Sequence, residues 1–144
     1  MSELGAGGTW YARRGILSQS LIGSCCKFAI NQTAQLLTEF EFDASAYDVW
    51  HDRAVFHFLT EESDRAAYVR QVARAVRRGG HVVVSTFGPE GPMKCSGLDV
   101  VRYDAESLHR EFGVHFQLLD SSKEFHNTPF GTVQQFLYCH CRLE

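Results

Sequence analysis

The chain has 144 residues, 44% hydrophobic and 22% charged, the balance of a single globular domain with a real core. A net charge of -3 without a clustered basic stripe argues against a nucleic-acid partner, since phosphate binding calls for grouped Lys and Arg. No apolar run is long enough to span a bilayer, and no signal peptide can be read behind Arg13 and Arg14, so the sequence reads as cytoplasmic and free of membrane contact.

Ahead of Phe42 the sequence shows no clear periodicity. From Tyr47 onward it does. Tyr47-Asp48-Val49-Trp50 is a short β-prone run that stops at His51-Asp52-Arg53, and Ala54 to Leu59 is apolar enough to be buried. Thr60 is placed to cap a helix with Glu61, Glu62 and Asp64 in its first turn. Val69, Val72, Ala73 and Val76 then recur at helical spacing. Arg70, Arg74, Arg77 and Arg78 form a small basic group that suits a solvated helix end, and Gly79-Gly80 ends the helix.

His81 to Thr86 is a β-branched run of the kind found in parallel strands buried on both faces. With the preceding strand and helix it makes a βαβ unit. Gly88 to Leu98, with Pro89, Gly91, Pro92 and Gly97, reads as a loop. Asp104 can cap a short helix that buries Leu108 and Phe112 and ends at Gly113. Two strands follow, from about Val114 to Lys123 and from about Val133 to Arg142. The second alternates Leu137, Cys139 and Cys141 against Phe136, Tyr138 and His140. Their connection is too short for a helical crossover, so they should pair antiparallel.

The five cysteines, Cys25, Cys26, Cys95, Cys139 and Cys141, form no C-x-x-C pair. Cys139 and Cys141 share one strand face while His140 points away. Packed thiols fit this better than a zinc site, and no metal is expected.

This order of elements resembles the second half of the class I S-adenosylmethionine-dependent methyltransferases. Tyr47 to Leu59 is similar to the fourth-strand segment of a small bacterial-type subfamily. Arg78-Gly79-Gly80 resembles the turn into strand five, with Arg78 where Pro often stands. Cys95-Ser96-Gly97-Leu98, Val101-Arg102-Tyr103-Asp104, His126 to Gly131 and Gln135 to Cys139 fit the same pattern. The resemblance covers Phe40 to Arg142. It implies a Rossmann-like α/β sheet, mostly parallel with a C-terminal antiparallel hairpin, and methyl transfer to a small-molecule or other nucleophilic acceptor. Such chemistry needs little acid-base machinery, because the sulfonium is already electrophilic and alignment does much of the work.

In that frame Glu3-Leu4-Gly5-Ala6-Gly7-Gly8 reads as the Gly-rich turn at the methionine part of the cofactor, with a strand of only Met1 to Leu4 before it. A flexible N-terminus is the alternative. Glu3, Gly5 and Gly7 are the cofactor-side candidates, with His51 and Asp52 near the reacting end. Only 38 residues separate Gly8 from Tyr47. The family places a helix, a strand ending in an acid, a second helix and a third strand there, and one βαβ unit alone takes about 30 residues. No strand ending in Asp or Glu is visible between Thr9 and Thr38. Gln35, Leu36 and Leu37 stand where relatives often carry an acid for adenine. The domain, residues 1–144, is therefore expected to lack one or more N-terminal strands.

The remaining candidates each have a plainer reading. Asp52 can pair with Arg53 or cap the next turn. His57, in an apolar run, is either a packed core residue or a general base. Ser85, Thr86 and the loop from Phe87 to Leu98 could shape an acceptor pocket, with Phe87 and Met93 closing over it. Three functions follow: a methyltransferase using S-adenosylmethionine; an inactive fragment that self-associates or pairs through an exposed sheet edge; and a dinucleotide oxidoreductase. The terminal hairpin and the lack of a complete G-x-G-x-x-G with a downstream acid disfavour the third.

Overall fold

The computed structural model describes residues 9–13, 16–20 and 37–144. Strands β3 (Tyr47–Arg53) and β4 (Val76–Phe87) are joined by a 3-10 turn, Phe56–Phe58, and by helix α1 (Glu62–Ala75). They run parallel, with Trp50 opposite Val82, Asp52 opposite Val84 and Arg53 opposite Ser85. Ahead of them lie two strands that the sequence did not lead one to expect, β1 (Thr9–Arg13) and β2 (Ile16–Ser20). β2 runs parallel to β3, from Ile16 opposite Val49 to Ser20 opposite Arg53. β1 folds back antiparallel on β2 and starts with Thr9 opposite Ser20. The run Ile-Leu-Ser-Gln-Ser has little strand signal of its own; its partner β3 supplies the ladder that makes it a strand.

On the other side of β4 the sheet turns antiparallel. After the two-residue strands β5 (Lys94–Cys95) and β6 (Leu98–Asp99) comes helix α2 (Ala105–Phe112), then the hairpin of β7 (Phe116–Asn127) and β8 (Val133–Leu143). β8 inserts between β4 and β7, so the strand order is β1-β2-β3-β4-β8-β7. The parallel centre and the terminal hairpin agree with the sequence reading, and both hairpin strands are longer than it suggested.

One face of this sheet carries the core. Trp50, Val82, Val84, Cys139 and Cys141 are buried against Tyr68, Val72, Leu108 and Phe112 of the two helices. The stripe that α1 buries is Tyr68, Val72 and Ala75, whereas Ala73 is exposed and Val69 half-buried. The expected stripe is thus rotated, because Tyr68 reaches the sheet through a hydrogen bond that periodicity does not register. The N-cap is Glu61 and not Thr60, and it makes no side-chain bond. Arg65 donates instead to the carbonyls of Leu59 and Thr60. α1 stops at Ala75, because Val76 is already extended and paired with Tyr47. The Arg77-Arg78-Gly79-Gly80 stretch thus lies in β4, where Arg77 ion-pairs with Asp48 and Gly79 has a left-handed φ of 75°.

α2 follows its sequence signals closely. Asp104 and Ser107 form a reciprocal capping box, Leu108 and Phe112 are buried, and Gly113 closes the helix with φ 80°. The opposite face of the sheet is less apolar than a doubly covered strand requires. His81, Val83 and His140 are half-buried there, and the two imidazoles meet at 2.8 Å. Among the described residues no helix is long and apolar enough to cross a membrane.

Candidate functional site

The parallel strands β2, β3 and β4 end at one edge, and in open α/β sheets ligands gather at such an edge. The chain leaves β3 through Ala54, whose φ of 65° is left-handed. A residue with a Cβ adopts this conformation only where its surroundings impose it. Here the Ala54 amide donates to the Ser85 carbonyl at 3.0 Å, tying the turn to β4.

Asp52 fixes the next step of the same turn. Its side chain lies on the helix face, 1% exposed, and Oδ1 accepts the Val55 amide at 3.1 Å. Oδ2 accepts the Tyr68 hydroxyl at 2.5 Å, and Tyr68 in turn accepts the Trp50 indole N–H at 2.9 Å. Burial pushes the Asp52 carboxyl up to about 7, against the opposing pull of the Tyr68 and backbone hydrogen bonds. Of the two plain readings of Asp52, capping the following turn is the one its bonds match. His51, adjacent and on the other face, is half-buried. Burial, helped by the nearby Arg53 charge, lowers its pKa.

His57 is fully buried, its ring 4.6 Å from those of both Phe58 and Phe87. Nδ1 accepts the Phe87 amide at 3.1 Å, which places the ring proton on Nε2. Its carbonyl accepts the Val101 amide at 2.8 Å, so one residue joins the ends of β3 and β4 to the segment after β6. Burial lowers its pKa to about 3. A neutral imidazole with its acceptor nitrogen engaged is a hydrogen-bond donor and not a general base, which removes the catalytic-base reading. Nitrogen-15 spectra of the histidine side chains should show one ring held as the neutral Nε2–H tautomer from about pH 8 down to about pH 4. A His57 ring that titrates near 6.5 would contradict this placement.

The same edge holds buried polar atoms without a hydrogen-bond partner among the described residues: Arg53 Nε, His57 Nε2, Ser85 Oγ and Thr86 Oγ1. Each such atom costs roughly 1–3 kcal/mol unless something polar meets it. Arg53 and Ser85, opposite each other on β3 and β4, share one face of the sheet and Thr86 lies on the other, so these atoms stand on both sides of the strand ends.

The segment after β4 is firmly fastened. The Gly88 amide donates to the Gln135 carbonyl at 3.0 Å. Gln135 Oε1 accepts the Glu90 amide at 3.0 Å, and its Nε2 donates to Glu90 at 2.9 Å. A Cβ on Gly88 would stand 2.4 Å from Gln135 Oε1, so a side chain there would push the Gln135 amide aside. Phe87 is buried against His57 and Phe136, while Met93 is 69% exposed. Cys139 and Cys141 face the helices, their thiols pushed up to about 12 and about 11 by burial. They are packed groups, not nucleophiles.

Glu3, Gly5 and Gly7 lie outside the described residues. What the backbone does show is that β1 begins, at Thr9, at the end of the sheet where Ser20 and Arg53 lie. Sequence reasoning picked His51, Asp52, His57, Ser85 and Thr86 but missed Ala54, Tyr68 and Gln135. None of those three carries a local signal, since each acts through a residue far along the chain.

Solved structures with the same arrangement were found. A S-adenosylmethionine-dependent methyltransferase of Methanosarcina mazei superposes with TM-score 0.57 at 12% identity, over 75% of this chain and 65% of that one. The 1,6-didemethyltoxoflavin-N1-methyltransferase of Burkholderia thailandensis, solved with S-adenosylhomocysteine, gives 0.55 at 19% identity, over 74% and 48%. A S-adenosylmethionine-dependent methyltransferase of Anabaena variabilis gives 0.51 at 12%, over 79% and 54%. The chain has the class I methyltransferase fold. It spans about half to two thirds of the length of these methyltransferases. No family model and no curated protein matches it. Within the methyltransferase fold, β3, β4 and the terminal hairpin are the parts that the sequence resemblance had singled out, and β2 supplies a third parallel strand beside them.

Proposed function

We propose that this chain is built for S-adenosylmethionine-dependent methyl transfer to a small-molecule or other nucleophilic acceptor. The observation that carries the reading is the methyltransferase fold itself, with buried, unpartnered polar atoms of Arg53, His57, Ser85 and Thr86 on the two faces of its parallel strands at their carboxyl ends. Donors held in a dry edge suit a polar ligand such as this cofactor or its acceptor.

When bound, the cofactor supplies an electrophilic methyl group on a sulfonium. The chain's own residues supply orientation and exclusion of water. The Gly-rich segment with Glu3, Gly5 and Gly7 is assigned to the methionine end, a reading supported by the start of β1, at Thr9, opposite Ser20. His51 is assigned to the pocket wall. Asp52 supports that wall from behind, by holding Val55 and Tyr68. His57 Nε2, without a partner among the described residues, is assigned as a donor to the ligand.

The short span relative to the solved methyltransferases favours a second reading, an inactive methyltransferase-like piece that acts through interaction. Isothermal titration of the chain with S-adenosylhomocysteine separates the two. Saturable micromolar binding is the expected result, and Ser85→Ala should weaken it. No heat at millimolar ligand overturns the enzyme reading. NADH in the same cell should give no heat.

A further inference from the structure

We propose that the outer edge of the terminal hairpin pairs with the same edge of a second copy of this chain, forming a symmetric, concentration-dependent dimer. β7 is the last strand of the sheet, and every residue from Asp120 to Asn127 is exposed. The ladder between β4 and β8 ends at Phe136. Beyond it, Phe125 pairs with Gln135, His126 with Gln134 and Asn127 with Val133, with no third strand beside them among the described residues. A bare two-stranded ribbon is marginal in water, and an unpaired edge is a template for another strand. The ribbon also holds much of the exposed apolar surface of the described residues: Phe125 is 61%, Val133 57% and Phe130 93% exposed.

The residues of β7 select the occupant. Two copies of one strand that pair antiparallel are related by a two-fold axis normal to the sheet, so the axis passes through a single residue that faces its own copy. Centring on Lys123 sets lysine against lysine, and centring on Glu124 sets glutamate against glutamate. Centring on Ser122 sets Asp120 against Glu124. Centring on Phe125 stacks ring on ring and places Glu124 opposite His126 of the second copy, twice by symmetry. Lys123 then faces Asn127. Centring on Ser122 also brings Phe125 opposite Leu119, but it sets Asp120 against Glu124 twice, whereas centring on Phe125 meets aromatic with aromatic, sets no like charges opposite and gives each Glu124 a hydrogen-bonding partner in His126. About five residues a side bury less than the roughly 1,200 Å² of a standard stable interface, so the dimer dissociates on dilution.

Sedimentation velocity on the full chain, from low-micromolar to submillimolar concentration, tests the proposal. A reversible monomer–dimer equilibrium is expected. Phe125→Lys, at an exposed site and with its fold checked by circular dichroism, should weaken dimerisation about tenfold or more by setting two cations on the axis. Glu124→Lys should weaken it, and adding His126→Glu should restore it, a rescue that no merely structural effect predicts. A chain that stays monomeric throughout, or a dimer indifferent to Phe125→Lys, overturns the proposal. Failure to bind S-adenosylhomocysteine leaves it untouched, because the hairpin edge takes no part in the cofactor assignment.

Discussion

Replacing Asp52 by Asn should shift the stability difference between variant and wild type by on the order of 4 kcal/mol in the variant's favour between about pH 4 and about pH 8. The carboxyl sits near 7 in the folded chain, against an ordinary 3.8. Between those values the folded state keeps a proton that the unfolded state has released. Stability associated with Asp52 is therefore complete below the ordinary carboxylate value and is lost as pH rises through the folded one. The substituted amide cannot ionise and loses nothing over that interval. At the acidic end the variant gives up one acceptor, either for Val55 or for Tyr68, so it starts somewhat below wild type.

The comparison has to be made between the two chains, because His57 acts in the opposite sense. Its pKa falls from 6.5 to about 3 on folding, so its contribution is present above the ordinary histidine value and is lost as pH falls. In the wild type the two slopes offset each other. Chemical denaturation of both proteins across the pH range isolates the Asp52 part. Parallel profiles would mean that Asp52 ionises alike in both states, its hydrogen bonds to Tyr68 and the backbone offsetting the whole cost of burial.

Phe56→Ala should cost about 3–5 kcal/mol, a large part of the total stability of a domain this size. Phe56 is fully buried, with ring centroids 5.0 Å from Tyr68, 5.7 Å from Tyr103 and 5.5 Å from Phe112. One side chain thus binds the turn after β3 to both helices. Truncation leaves a cavity that none of these rings can fill without leaving its own neighbours. Because the turn also holds His57, the ligand edge should loosen with it. Phe130→Ala, at a 93% exposed position, is the matched control and should change stability by no more than about 0.5 kcal/mol. Urea midpoints measure both. A loss below about 1 kcal/mol for Phe56→Ala would show that the core closes over the gap.

The amino-acid sequence by itself determined the strand-helix-strand unit from Tyr47 to Phe87, the second helix and the antiparallel hairpin, though it gave the segment that holds β5 and β6 as a loop. It also determined the cap of α2 by Asp104 and the buried row Leu137, Cys139 and Cys141. These are decided within a few residues, by side-chain alternation, capping chemistry and loop length, and such signals survive in a single chain. Only the tertiary structure decided the rest. Ile16–Ser20 becomes a strand because β3 offers a ladder. α1 turns Tyr68 inward because Asp52, 16 residues earlier, accepts its hydroxyl. Ala54 takes a left-handed turn because Ser85 on the next strand receives its amide. In each case the deciding partner is distant along the chain, so no local pattern announces it; the contact exists only once the sheet has brought the two residues together.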